Sequence, residues 1–150
     1  MRFIHPLFML GFLACLYQQR VLGLTILGLK GNAPEFSDRG SMLEKHVSWA
    51  YGLLAYIILG MIGGIAITLR VLNAPEAFQH TYGHGFFGIL ALTGLICAYF
   101  LGVSIKKVVK PKIRERFRNF HTNIFYIIAL FAGLSLISGA GVLIFGISIN

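Results

Sequence analysis

The chain has 150 residues, of which 57% are hydrophobic and only 12% are charged, and its mean hydropathy is +0.78. Soluble domains are about 45–50% apolar and about 25% charged, so this composition excludes an ordinary soluble domain. It predicts one domain, residues 1–150, that is integral to a membrane. The formal net charge of +8 does not indicate nucleic-acid binding, because most of the basic residues lie between apolar stretches.

Four apolar segments are each long enough to cross a bilayer, for which a helix needs about 20 residues. In chain order the predicted spans cover approximately 3–29, 46–70, 83–105 and 119–147. They predict an all-α fold, an integral membrane four-helix bundle in which the chain runs up and down between the two faces.

The first span opens with His5 and Pro6 and contains one cation, Arg20, well inside its apolar run. An Arg at the bilayer centre costs about 2.5–3.5 kcal/mol on insertion scales and usually faces a partner. At the helical rise, Arg20 is expected about 22 Å from His5, near the other face of the membrane. Two interpretations stay open for Arg20: it pairs with a carboxylate of a bound cofactor, or it snorkels to the headgroups.

Two segments carry most of the charge. The segment 106–118 has seven Lys or Arg residues and one Glu, and the segment 30–45 contains three charges of each sign. The positive-inside rule places both on the cytoplasmic or stromal side of a bacterial inner membrane or a thylakoid membrane, with both termini on the other side. The basic segment is either a topology determinant beside anionic lipid or a docking surface for an acidic partner or a small anionic reductant.

One histidine stands near the start of each span. These are His5, His46, His84 and His121. Because the direction of crossing alternates, the first and third are expected at one membrane face, and the second and fourth at the other. His80 lies four residues before His84 and shares its helical face. His84 lies deeper, so it is the predicted ligand, and His80 is left as a contact to headgroups or to a cofactor carboxylate.

A glycine stands eighteen residues after each of these histidines. The four glycines are Gly23, Gly64, Gly102 and Gly139. Eighteen residues are five helical turns, which return to the same face about 27 Å along the axis. Each helix would then present a histidine at one membrane face and a gap at the other, where a flat cofactor held by other helices approaches the backbone. Gly60 and Gly64 also form a GxxxG pair, which is typical of plain helix packing in membranes.

Paired histidines at both faces favour haem. Axial ligation of haem iron needs side chains from opposite sides, and facing helices of a bundle supply them. Zinc is disfavoured because the histidines have no acidic or thiolate companions at the same depth. A structural or proton-relay role is the other alternative. With haem, the carboxylate that Arg20 meets would be a propionate.

The pattern of one histidine on each of four consecutive helices resembles the core of the cytochrome b561 family. A closer resemblance is to a family of small four-helix membrane proteins of unknown function from cyanobacteria and plastids. Members similarly open on a His-Pro-Leu sequence, here residues 5–7, and contain a stretch like LGMIGG, here 59–64. They also start the last helix with Arg-x-x-His, here Arg118 and His121.

The resemblance implies two b-type haems, each held by two histidines. His5 would pair with His84 on the outer side, and His46 with His121 on the cytoplasmic side. The chain has fewer helices than classical cytochrome b561 and lacks that family's recognisable ascorbate-binding residues, so ascorbate is not assigned as the donor.

The hypothesis is a transmembrane electron-transfer cytochrome with an unidentified electron donor and acceptor, and its classification as an oxidoreductase is left open. Its expected surroundings are the lipid bilayer and no nucleic acid. The rival hypothesis is a non-catalytic structural or assembly subunit of a larger photosynthetic or respiratory membrane complex, in which haem braces the bundle or is absent.

Overall fold

The computed structural model describes residues 4–28, 36–71 and 83–145, with side chains for 7–28, 38–66, 69 and 83–141. The described residues form the helices α1 (Ile4–Ile26), α2 (Phe36–Val71), α3 (His84–Lys107) and α4 (Pro111–Phe145). Each helix contains a segment long and apolar enough to cross a membrane: Leu7–Ile26, Asp38–Ala66, His84–Lys107 and Pro111–Gly141. For the described residues this confirms the predicted all-α fold with four helices long and apolar enough to span a membrane, while the sidedness of the termini stays a prediction.

Helices α2 and α4 begin earlier than predicted. α2 starts at Phe36 rather than near residue 46, and residues 38–41 are helical, with the Ser41 hydroxyl donating to the Asp38 carbonyl at 2.9 Å. Hydropathy marks where a chain leaves the bilayer, whereas Lys, Arg and Glu are good helix formers that continue a helix in water. The predicted span boundaries, which left the segments 30–45 and 106–118 outside the helices, are therefore wrong for residues 36–45, 106–107 and 111–118.

A tight turn at residues 108–110 joins α3 to α4. Pro111 is the first residue of α4, because its missing N–H and fixed φ suit the first helical position. The Val108 amide donates to the Ser104 carbonyl at 3.1 Å, and Nε of Arg114 donates to the Val108 carbonyl at 2.9 Å. The seven basic residues of the segment 106–118 thus lie at the end of α3, in this turn and in the first two turns of α4.

The helices form a ring in chain order. α1 packs against α2 and α4, α2 also packs against α3, and α3 packs against α4, so α2 and α4 lie diagonally opposite. The ring encloses a buried apolar core along the bundle axis. Its members are Phe12, Leu16, Leu53, Ile57, Ala91, Leu95, Ile124, Ile128 and Ala132.

The hairpins α1–α2 and α3–α4 bury equivalent positions, counted from the histidine that opens each helix. The pairs are Phe12 with Ala91, Leu16 with Leu95, Leu53 with Ile128, Ile57 with Ala132, and Gly60 with Ser135. Phe8 stacks on Tyr56 with ring centroids 3.9 Å apart, and the equivalent Phe87 stacks on Phe131 at 6.4 Å. The bundle is therefore built from two similar hairpins in a pseudo-two-fold arrangement.

Candidate functional site

His46 of α2 and His121 of α4 face each other near one end of the bundle, called here the His46 end. Their ring centroids are 6.1 Å apart, and the ring planes meet at 68°. Because α2 and α4 are diagonal, the two imidazoles enter from opposite sides. The structure thus brings together two histidines that the sequence predicted at the same face.

A cavity of about 390 Å³ surrounds this pair, and all four helices contribute to its walls. Cofactor and small-molecule sites are typically about 300–1,000 Å³ and mostly apolar. The walls are mainly Leu, Ile and Val, and the other polar side chains among them are Gln19, Arg20, Tyr51, Tyr99, Lys106, Arg118 and Thr122. Gly23 and Gly102, two of the predicted gap residues, also line the cavity.

His121 is held by the backbone of α3. Its Nδ1 lies 2.8 Å from the carbonyl oxygen of Ala98. A carbonyl oxygen can only accept, so Nδ1 carries the proton and the lone pair of the neutral ring is at Nε2. Metal-binding histidines use this arrangement, with one nitrogen for the metal and the other N–H on a carbonyl or carboxylate. Gly102 makes room one turn later, since a Cβ there would lie 3.4 Å from Cε1 of His121.

His84 is held in the same way at the other end of the bundle. Its Nδ1 donates to the Ser135 carbonyl at 2.6 Å, and the Ser135 hydroxyl donates to the His84 carbonyl at 3.1 Å. Gly139 follows Ser135 by one turn, and a Cβ on it would lie 2.8 Å from Nδ1 of His84. The proton on Nδ1 again leaves the lone pair of the neutral imidazole at Nε2.

His46 rests on Gly23 of α1, where a Cβ would lie 3.2 Å from Cε1 of the ring. Nδ1 of His46 is buried and has no hydrogen-bond partner within the described part of the chain. Gln19, one turn before Gly23, donates from Nε2 to the His46 carbonyl at 2.8 Å, and its Oε1 is likewise buried without a partner there. The surroundings of His46 therefore resemble those of His84 and His121, but its Nδ1 lacks a hydrogen-bond partner among the described residues.

In the structure, the eighteen-residue spacing places the glycine of one helix beside the histidine of the other helix in the same hairpin. Each of Gly23, Gly102 and Gly139 faces the histidine of the neighbouring helix in its hairpin. Sequence reasoning expected a macrocycle at these gaps and missed the imidazoles, because spacing along one helix carries no information about which group fills a gap. The approach of a macrocycle to these glycines stays a prediction.

Three further residues named in the sequence analysis are Gly64, His5 and His80. Gly64 lies on α2 and makes contacts in the structure. His5 belongs to α1, but its side chain lies outside the described residues, and so does the whole of His80. The predicted pairing of His5 with His84 therefore stays a prediction.

Arg20 extends from α1 onto α4 at the His46 end. Its guanidinium donates to the Thr122 carbonyl and, at 3.3 Å, to the Tyr126 hydroxyl. It also lies 5.2 Å from the ring centroid of Phe125 and 5.1 Å from that of Tyr126. This placement agrees with the predicted depth of Arg20, because Thr122 directly follows His121. Contact with a propionate stays a prediction, for which the guanidinium's further N–H groups are suited.

Among the described residues, the donors at the His46 end would fit haem iron better than zinc. Within the described side chains, no group of three or more His, Cys, Asp or Glu could hold a metal ion. A structural zinc site needs four such ligands and a catalytic one usually three. Haem supplies its own equatorial nitrogens and needs only one or two protein ligands.

Sequence reasoning also missed the residues that accompany these histidines. Gln19, Ala98 and Ser135 each lie four residues before one of the predicted glycines, so the position was available from spacing. Gln19 had a further signal, since it is a polar residue within an apolar span. Comparison of the chain with protein-family models, with curated proteins and with solved structures finds no match.

Proposed function

We propose that the chain is a transmembrane electron-transfer cytochrome holding two b-type haems, each between two histidines. His46 and His121 hold one haem near the cytoplasmic face, and His5 and His84 hold the other near the opposite face. The observation that carries the proposal is the facing pair of His46 and His121, 6.1 Å apart within a cavity lined by all four helices.

The spacing of this pair suits a shared iron. Two metal–nitrogen bonds of about 2 Å each, plus roughly 1 Å from each ring nitrogen to its centroid, separate the centroids by about 6 Å. Three features support this assignment: the mainly apolar cavity walls, the gaps at Gly23 and Gly102, and the proton on Nδ1 of His121. The buried Nδ1 of His46 supports it too, since a histidine that binds through Nε2 keeps an N–H there.

Haem iron, when bound, supplies one-electron oxidation and reduction, and the chain supplies orientation, burial and charge. The Ala98 carbonyl fixes the ring of His121, while Arg20, Lys106 and Arg118 place positive charge around the cavity. Positive charge stabilises the added electron, and the apolar walls lower the dielectric and strengthen that effect. These residues therefore favour the reduced state at the His46 end.

The basic residues around the turn at 108–110 support a cytoplasmic or stromal location for the His46 end. Lys106, Lys107, Lys110, Lys112, Arg114, Arg116 and Arg118 are all exposed. An excess of exposed Lys and Arg beside the ends of membrane helices is typical of that side. The host membrane would then be a bacterial inner membrane or a thylakoid membrane.

Electron transfer across sealed vesicles tests the proposed function. The haem-loaded protein is reconstituted in vesicles that enclose ferricyanide, and a membrane-impermeant reductant is added outside. We expect the enclosed ferricyanide to be reduced, and we expect the His46→Ala and His121→Ala variants to lose this activity. Reduction of the haem by the external reductant, without reduction of the enclosed ferricyanide, would contradict an electron-transfer role across the membrane.

A further inference from the structure

The two histidines at the His46 end occupy equivalent positions in the two hairpins, but one position beside them differs. Nδ1 of His121 uses the carbonyl of Ala98, which lies fourteen residues after His84. The residue fourteen after His5, the equivalent position on α1, is Gln19. A side chain that can both donate and accept therefore stands beside His46, where only a methyl group stands beside His121.

Gln19 and His46 each have one unmet polar atom, and the two atoms are complementary. The side-chain amide of Gln19 already donates to the His46 carbonyl at 2.8 Å, so the two residues are in contact. Oε1 of Gln19 and Nδ1 of His46 are both buried, with no partner in the described part of the chain. An amide oxygen can only accept, and a neutral histidine that binds a metal through Nε2 has a donor at Nδ1.

We infer that Gln19 is a positioning residue for His46, whose Nδ1–H donates to Oε1 of Gln19 when Nε2 binds iron. The inference rests on the proposed function for the iron and on the observed contact for the pair. A buried N–H without an acceptor is unfavourable, and so is a buried amide oxygen without a donor. The amide of Gln19 already donates to the His46 carbonyl, so Oε1 and Nδ1 belong to two residues in contact. The two ligands of one haem thus differ, one fixed by backbone and the other by a side chain.

This difference has an electronic consequence. An acceptor at Nδ1–H raises the basicity of the ligating nitrogen, which stabilises oxidised iron. Removing the acceptor beside His46 is therefore expected to raise the midpoint potential of that haem. Gln19 lies at the His46 end, so the potential of a haem held near His84, at the other end, is expected to stay unchanged.

The test compares Gln19→Leu with Gln18→Leu in the purified haem-loaded protein. Gln18 is an exposed neighbour that does not line the cavity, so it controls for the added hydrophobicity of the span. We expect redox titration to show one midpoint raised in Gln19→Leu and both midpoints unchanged in Gln18→Leu. Unchanged midpoints in Gln19→Leu, with haem content intact, would overturn the inference.

A second measurement separates this inference from the proposed function. In ¹⁵N NMR of the purified protein with ferrous haem, we expect a hydrogen-bonded Nδ1–H of His46 that weakens in Gln19→Leu. A protein that binds no haem would contradict the proposed function and this inference with it, whereas bound haem with an unchanged Nδ1–H signal in Gln19→Leu would overturn this inference alone. If Gln19→Leu does not assemble, Gln19→Glu retains an acceptor and is expected to lower the midpoint; a raised or unchanged value contradicts the inference.

Discussion

The glycines beside the histidines act by letting an imidazole reach a carbonyl of the neighbouring helix. A Cβ on Gly139 would lie 2.8 Å from Nδ1 of His84, closer than real Cβ contacts, while one on Gly102 would lie 3.4 Å from Cε1 of His121. In both cases the carbonyl that accepts from Nδ1 belongs to the residue four positions before the glycine. The missing side chain therefore sets the position and the tautomer of each ring.

Replacement of Gly139 by Ala tests this role. The added methyl group pushes His84 off the Ser135 carbonyl, so we expect a loss of about 1–3 kcal/mol in the free energy of unfolding, as for other overpacked sites. The matched control is Gly133→Ala on the same helix, where a Cβ meets nothing within 4 Å. Its greater helix propensity predicts equal stability or a gain of up to about 1 kcal/mol. Unfolding in mixed detergent micelles measures both.

Equal stability of the Gly139→Ala and Gly133→Ala variants would show that the close approach of His84 to α4 is not needed. A smaller loss is expected for Gly102→Ala, because the contact with His121 there is 3.4 Å rather than 2.8 Å.

Substitution of Arg20 tests its electrostatic role. At an effective dielectric near 20, a charge within roughly 10 Å is worth about 1–2 kcal/mol. We therefore expect Arg20→Leu to lower the midpoint potential of one haem by tens of millivolts in a redox titration. Arg116→Leu removes an exposed cation that does not line the cavity and is expected to change neither midpoint. An unchanged midpoint in Arg20→Leu would remove Arg20 from the haem site.

At the level of the helices, the apolar runs predicted α1 and α3 within about three residues but not the starts of α2 and α4. The spans predicted at 3–29 and 83–105 are observed as Ile4–Ile26 and His84–Lys107. The helices that enter the membrane from the predicted cytoplasmic side continue beyond it. Hydropathy locates the membrane boundary, whereas a helix ends where its backbone hydrogen bonding ends, and the charged segments 36–45 and 111–118 sustain that bonding.

The candidate site was predictable to a similar degree. Alternating direction was enough to place His46 with His121 and to place Arg20 near their level. The partners of Gly23, Gly102 and Arg20 were not predictable, because they depend on how far each helix is rotated and shifted against its neighbours. That information arises from side-chain packing between helices, which one helix's periodicity does not contain.

The turn between α3 and α4 offers a test of sidedness. Val109 is 86% exposed at this turn, beside several Lys residues. In a chain with Cys15 and Cys97 replaced by Ala, we expect Val109→Cys to react with a membrane-impermeant maleimide only in inside-out vesicles or after permeabilisation. Reaction in intact cells would place the His46 end outside and reverse the proposed orientation.

For the whole molecule, the two-hairpin arrangement means that each haem would be shared between hairpins. α2 belongs to the first hairpin and α4 to the second, and the facing pair at the His46 end takes one histidine from each. Single substitutions of the two histidines that share a haem should therefore have the same effect. We expect His46→Ala and His121→Ala to lose the same haem, and His5→Ala and His84→Ala to lose the other, as seen in reduced-minus-oxidised spectra.

Haem stoichiometry is the direct test of two haems held between paired histidines. Pyridine-haemochrome quantitation of the purified protein should give two b-type haems per chain, and one per chain in His46→Ala. Retention of the second haem in that variant shows that the bundle still folds, so the loss can be assigned to the missing ligand. A purified, folded protein without haem would contradict the account and leave the facing histidines as part of a structural or proton-conducting site.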